Sequence, residues 1–248
     1  MLEVQNITKL FTRTDKKTKE KSKVGIKNVS FTAKPGRIFG LIGANGAGKT
    51  TTMRIIANLT YPHSGDITLD GQQYKKIHNL KMKLGFVSGE TQVFDRLTPY
   101  EIMKMFGEFS GIKNEELENR IKEIAEKLSM NEFLNDICIN FSTGMKQKTS
   151  IARALVTNPE VIIFDEVTNG LDIFASRAVK DQILKLKDEG RIILYSTHIM
   201  PDAEELCDDV AIIHKGEILA QGEVKELKKQ FKKDSIEQIF FDLVSDKL

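Results

Sequence analysis

Gly43-Ala44-Asn45-Gly46-Ala47-Gly48-Lys49-Thr50-Thr51 is preceded by the apolar run Arg37-Ile38-Phe39-Gly40-Leu41-Ile42 and followed by Met53-Arg54-Ile55-Ile56-Ala57. The run before it is short enough for a buried parallel strand, and the residues after it continue as a helix. Strand, Gly-rich turn and helix together form the setting a phosphate cradle needs. Gly43, Gly46 and Gly48 let backbone N–H groups turn inward around an anion, in conformations a Cβ would block. The helix N-terminus adds partial positive charge, Lys49 reaches the outer phosphates, and Thr50 offers a hydroxyl to Mg²⁺. Asn45, Ala47 and Thr51 complete the loop. The stretch predicts a nucleoside triphosphate site.

The chain around it has 248 residues, enough for one large domain or a domain with a subdomain. Its net charge of +2 gives no global reason to expect nucleic acid or an anionic membrane as partner. The basic stretches Lys16 to Lys23 and Lys225 to Lys233 are not interleaved with aromatics as a single-strand binder's would be, Phe231 being the one aromatic within them, and are expected to be a solvated loop and a solvated helix face. Cys138 and Cys207 stand without metal-ligand spacing, the pattern of a reduced cytosolic protein. No apolar run approaches the roughly 18 residues of a membrane span, and the N-terminus is not a signal peptide.

Residues 2–10 and 24–33 are expected to be strands joined by the basic loop, and Lys34-Pro35-Gly36 turns into the strand before the phosphate loop. Short strands follow near 66–69 and 83–87. From about 95 to 140 the texture is helical. Thr98-Pro99-Tyr100-Glu101 combines a capping box with Pro at the first helical position. Asn114 is expected to cap the next helix, whose apolar face is Leu117, Ile121, Ile124 and Leu128. The parallel core resumes at Val161-Ile162-Ile163-Phe164, followed by a helix near 172–188, the strand Arg191 to Tyr195, and a hairpin turning through Lys215-Gly216. Ser235-Ile236-Glu237-Gln238 looks like a second capping box, opening a last amphipathic helix. The fold class is α/β: a P-loop NTPase core, mostly parallel with an antiparallel β subdomain, plus a helical subdomain.

Val161 to Phe164 ends in Asp165-Glu166. Carboxylates at the C-terminal edge of a parallel sheet lie where ligands of such folds bind. Asp165 is expected to hold Mg²⁺ through water, and Glu166 to orient and deprotonate the attacking water. His198, closing the strand Arg191 to Tyr195 through Ser196-Thr197, can reach a γ-phosphate or that water.

The ordered set of phosphate loop, Phe141-Ser142-Thr143-Gly144-Met145, Asp165-Glu166, Asn169-Gly170-Leu171-Asp172 and His198 resembles the nucleotide-binding subunits of ATP-binding-cassette (ABC) transporters, over nearly the whole chain. The resemblance implies a nucleotide-binding domain over 1–222, with its helical subdomain at about 95–158, and a C-terminal helical tail at 223–248. It implies ATP and Mg²⁺ as cofactors and a head-to-tail dimer, homomeric or heteromeric, sandwiching two ATP molecules. Ser142 and Gly144 would contact the partner's γ-phosphate from the start of a helix near Met145, where amides and a hydroxyl are anion ligands. Asp172 would couple the two sites and His198 would be the switch histidine. Phe11 is the best match for the aromatic that stacks on adenine, with core packing of Phe11, or Val24 as the contact, as alternatives. The implied partner is an integral membrane permease, and the implied location is cytoplasmic, peripheral on the cytoplasmic face of the cell membrane, with no nucleic acid bound.

The chain departs from the family pattern in three places. Phe141, Thr143 and Met145 replace the usual Leu, Gly and Gln, and Val167 replaces a Pro. Gly89 stands where a Gln normally touches Mg²⁺, so either Glu90 substitutes as the metal contact or the contact is absent. On that reading Gly89→Gln leaves ATPase activity little changed in the first case and raises it in the second. Together with Phe94-Asp95-Arg96-Leu97-Thr98, these departures resemble type-2 exporter ATPases, most of all the sodium-efflux NatA group. The implied activity is ATP hydrolysis energising efflux, of sodium ions or of a drug, peptide or polysaccharide. Met103, Met105, Phe106 and Phe109 are candidates for an adaptable apolar docking surface. The rivals are a soluble ABC ATPase acting on ribosomes or DNA, and a GTPase or small-molecule kinase. The first usually carries two cassettes or a long coiled-coil insertion. A GTPase is disfavoured by the absence of an Asn-Lys-x-Asp guanine-reading motif, and a kinase has no use for the 141–145 and 169–172 segments.

Overall fold

Leu2, Val4 and Ile7 are all buried, so the apolar alternation of the first strand slips by one residue. The slip is a bulge: Asn6 takes φ 51° and the pairing register shifts between Val4 and Ile7. The computed structural model describes residues 1–14, 21–89 and 93–245, with backbone alone at residues 13, 14, 21 and 22. The central residues of the basic loop and Glu90 therefore lie outside the described residues.

In chain order the first elements are β1 (Leu2–Thr14), β2 (Lys21–Ala33), β3 (Arg37–Ile42), α1 (Lys49–Ile56), β4 (Ser64–Leu69) and β5 (Gln72–Gln73). Next come β6 (Leu84–Ser88), α2 (Pro99–Phe109), α3 (Asn114–Lys127), α4 (Thr143–Leu155), β7 (Val161–Asp165) and α5 (Ile173–Asp188). The chain closes with β8 (Ile192–Thr197), α6 (Met200–Leu206), β9 (Asp209–His214), β10 (Glu217–Glu223), α7 (Val224–Phe231) and α8 (Ile236–Ser245). Two units divide these elements, residues 1–78 with 190–248 and residues 79–189.

The first unit holds an antiparallel sheet in the order β2-β1-β4-β5 and the strands β10-β9-β3-β8. β3 pairs in parallel with both β8 and β9. It is flanked on both sides, and its residues Ile38, Leu41 and Ile42 are fully buried, as a central parallel strand requires. Met53, Ile55 and Ile56 of α1 are buried with them. β9 and β10 form an antiparallel hairpin whose turn residues Lys215 and Gly216 have φ 47° and 85°, the doubly positive turn that matches strand twist.

The last helix spends its apolar face within this unit. Ile236, Ile239 and Phe240 are buried, α8 packs on α6 and α7, and the backbone N–H of Ile236 donates to Glu204 at 3.1 Å. Its start differs from the expected capping box by one residue. Ser235 Oγ accepts from the N–H of Gln238, but the Gln238 side chain reaches back to the N–H of Asp234.

The second unit pairs β6 with β7 in parallel and otherwise is helical. Thr98 and Glu101 make the capping box of α2 as expected, with reciprocal bonds of 3.1 and 2.9 Å. The expectation for α3 is corrected: Lys113 is the cap residue, without a side-chain bond, and Asn114 is already helical. Glu115 and Glu116 in the first turn complement the positive end of the helix dipole instead. Leu117, Ile121, Ile124 and Leu128 form the buried face. Arg153 of α4 lies over the Phe106 ring of α2 at 5.5 Å, tying these helices together. Among the described residues, no helix is long and apolar enough to cross a membrane.

Candidate active site

The phosphate loop begins where β3 ends and closes at the first residue of α1. Gly48 precedes that helix with φ 113°, and a Cβ there would lie 2.5 Å from Ile26 Cγ2. At Gly43 a Cβ would meet the Ile213 carbonyl oxygen at 2.3 Å. Both glycines are therefore demanded by neighbours, and the resulting loop keeps Ala44, Asn45 and Gly46 at the surface. The Lys49 side chain is buried and donates from Nζ to the Gly43 and Ala44 carbonyls at 2.8 and 3.2 Å. These bonds hold the ammonium against the first two residues of the phosphate loop. Thr50 and Thr51 follow on the first turn of α1, half-buried. The cradle a Cβ would fill, the helix N-terminus and the held ammonium fit a polyphosphate.

A support for this loop was not predicted. The turn of the β9–β10 hairpin touches it from behind, with the N–H of Gly216 donating to the Ala47 carbonyl at 2.9 Å. Only the Lys215-Gly216 turn signal marked that position in sequence.

His198 follows β8 directly. In the parallel register Thr197 pairs with Ile42, and the N–H of Gly43 points to the Thr197 carbonyl at 3.4 Å. The structure therefore brings His198 to the edge where the phosphate loop starts. Phe11 is not a core residue: it is 46% exposed, Val24 opposite it is 42% exposed, and Lys9 Nζ lies 5.8 Å from the Phe11 ring. Core packing of Phe11, one of the alternatives from sequence, is set aside.

The second unit carries Ser142, Gly144, Asp165, Glu166 and Asp172. Asp165 is buried at the end of β7, and Glu166 after it takes φ 54°. A left-handed conformation at a non-glycine residue costs about 1–3 kcal/mol and is retained where surrounding structure imposes it. The helix of the signature segment starts two residues earlier than expected, at Thr143, with Ser142 as its cap accepting from the N–H of Met145 at 3.3 Å. Ser142 is exposed and Gly144 half-exposed.

Two of the three unusual residues of that segment, Phe141 and Met145, pack inward, whereas Thr143 is exposed. Phe141 is buried against Ile102 and Cys138, with Phe133 edge-on at 5.3 Å and Met145 packed alongside. Burial pushes the Cys138 thiol up to about 11, so it is a packing residue. Asp172 caps α5, its Oδ1 accepting from the N–H of Ala175 at 2.9 Å. Ser142→Ala is expected to remove about 1 kcal/mol of α4 stability. That is a fall in melting temperature of about 2–4 °C for a chain of this size, measured by thermal unfolding without nucleotide.

Residues 26–169 match the family model described as "ABC transporter". The chain belongs to the ABC transporter family. The ABC transporter ATP-binding protein NatA of Bacillus subtilis (strain 168) is 38% identical over 237 residues, covering 93% of this chain and 96% of that protein. The Nod factor export ATP-binding protein I of Cupriavidus metallidurans is 32% identical over 232 residues, covering 92% of this chain and 72% of its own length. Among solved structures, the dimeric, post-hydrolysis ATP-binding cassette MJ0796 bound to ADP and Pi superimposes with a TM-score of 0.76 at 25% identity, covering 90% of this chain and 98% of that one. The resemblance read from the ordered motifs thus holds, and the chain is an ABC ATPase subunit that binds and hydrolyses ATP. Its α/β fold is that of ABC nucleotide-binding domains.

The geometry at Gly89 bears on the substitution expected to test its metal contact. Its N–H donates to the Asp165 carbonyl at 2.8 Å, and a Cβ on it would lie 2.1 Å from the Glu166 carbonyl oxygen. A Gln at this position collides with backbone, so Gly89→Gln is no neutral test of a missing metal contact. Glu90, the proposed substitute, lies outside the described residues.

Proposed function

We propose that this ABC ATPase energises export through a separate integral membrane permease, working as a head-to-tail dimer on the cytoplasmic face of the cell membrane. Lys49 and the phosphate-loop amides would hold the triphosphate, Thr50 and Asp165 would serve Mg²⁺, and Phe11 would stack on adenine. Glu166 would take the proton of the attacking water, with His198 at the γ-phosphate. Ser142 and Gly144 would meet the second subunit's ATP, and Asp172 would link the two sites. Two ATP molecules then favour the closed dimer because they bind it better than the open one.

The observation that carries the dimer is the outward face of the second unit. Ser142 and Thr143 stand exposed at the start of α4, and Ile173 and Phe174, next to Asp172, are 85% and 87% exposed. Adjacent large apolar side chains so bare favour a covering protein. For the permease, Met103 is excluded as a contact because it is fully buried, whereas Phe109 is 83% exposed at the end of α2. Phe94, Ile137 and Ile139 add further exposed apolar groups to the same unit. Export, rather than import, is supported by the likeness to a Nod factor export ATPase and by the signature departures.

Tagged chain recovered from detergent-solubilised native membranes is expected to bring down an integral protein of several spans. Recovery of ribosomes, nucleic acid or nothing reproducible would sink the transport reading. Sodium as cargo is tested next: the complex in vesicles should move sodium with ATP, and sodium-independent hydrolysis without sodium flux would leave a drug, peptide or polysaccharide.

A further inference from the structure

We propose that Gly89 is a positioning residue for Glu166, holding the catalytic carboxylate in place by having no side chain. The inference rests on Glu166 being the base of the ATPase reaction. β6 and β7 run in parallel with Ser88 opposite Asp165, so the residue after each strand end arrives at the same level. There Gly89 donates its N–H to the Asp165 carbonyl at 2.8 Å and presents its bare Cα to the next peptide. A Cβ would sit 2.1 Å from the Glu166 oxygen and 2.8 Å from its carbonyl carbon. Both are backbone atoms, which cannot swing aside as a side-chain tip can.

The Glu166 carbonyl is held from another direction as well. It accepts from the N–H of Asn169 at 3.1 Å, within the turn that leads toward Asp172. With Gly89 against the same carbonyl, the Glu166 peptide has a fixed plane, and the residue takes φ 54°. The direction of the Glu166 side chain follows from that left-handed backbone. Any side chain at 89 forces the peptide to rotate or the strand end to lift, and either displaces the carboxylate. A displacement of about 1 Å is enough to cost on the order of 100-fold in rate. The position where the family carries a metal-touching Gln has thus become a backbone support for the base.

The test compares Gly89→Ala, Glu166→Gln and the double variant in the full chain, using steady-state ATPase kinetics and equilibrium binding of ATP with Mg²⁺. Gly89→Ala should lower kcat roughly 100-fold while the ATP Kd moves by less than about twofold. In the Glu166→Gln background it should change neither ATP affinity nor residual rate. A kcat within about twofold of the parent overturns the proposal, and so does a loss of ATP binding in proportion to rate, which marks a merely structural role. If Gly89→Ala does not fold, adding Glu166→Gly frees that peptide to turn its carbonyl away and should restore a folded, ATP-binding chain. Failure of that rescue also overturns it. Full activity in Glu166→Gln alone would instead remove Glu166 as the base, whatever Gly89 does.

Discussion

Glu166→Gln is expected to stop turnover, with kcat lower by about 10²–10⁴-fold, while ATP still binds. The substitution keeps the shape of the side chain and removes its ability to accept a proton. The phosphate loop, Lys49 and the α1 N-terminus belong to the other unit and are untouched, so the affinity for nucleotide should persist. If hydrolysis is what reopens the dimer, the ATP-bound pair accumulates, because nothing removes the ligand that favours it. A sizing column run with ATP and Mg²⁺ should show a dimer for the variant. A monomer there would count against Glu166 as the base, and retained turnover would exclude it.

Lys49→Ala should abolish useful ATP binding, raising Kd by about 10–100-fold for the loss of one charged hydrogen bond of roughly 1.5–3 kcal/mol. A second effect adds to this one. The ammonium also ties the Gly43 and Ala44 carbonyls at 2.8 and 3.2 Å, so its removal loosens the loop that aims the amides. Lys49→Arg should not rescue, since a planar fork cannot replace a compact ammonium between those two oxygens. The readout is thermal stabilisation by ATP. At a concentration near 100 times the parent's Kd the parent gains about 2.7 kcal/mol, and the variant at the same concentration should gain only about 0.4–1.4 kcal/mol. Equal stabilisation of both chains would remove Lys49 from the site.

The parts of the site legible in sequence are those written in contiguous residues. Strand, Gly-rich turn and helix over 37–57 could be read because spacing alone sets the backbone there, and β7 ending in Asp165-Glu166 for the same reason. The Thr98 box was legible because both of its bonds span three residues. Harder features are those in which distant segments touch. Asn114 looked like a cap, but the chain enters α3 one residue earlier and places it inside the helix. Phe141 and Met145 looked like departures from a binding motif; packing on Ile102 and Cys138 explains them, and no local pattern announces that. Gly89 looked like a missing ligand because its neighbour Glu166 is 77 residues away in the chain, and only their meeting reveals why a side chain is refused.

The Gly216 bond to Ala47 gives the β9–β10 hairpin a second consequence. The phosphate loop is braced by the chain's own fold, so most of the ordering that anion capture demands is completed before a nucleotide arrives. Binding then forgoes little conformational freedom, and affinity comes from pre-organisation rather than from late tightening. The same brace makes nucleotide recognition depend on a turn about 170 residues downstream in the chain. Damage there would be felt as weakened affinity at a loop whose own residues are all intact.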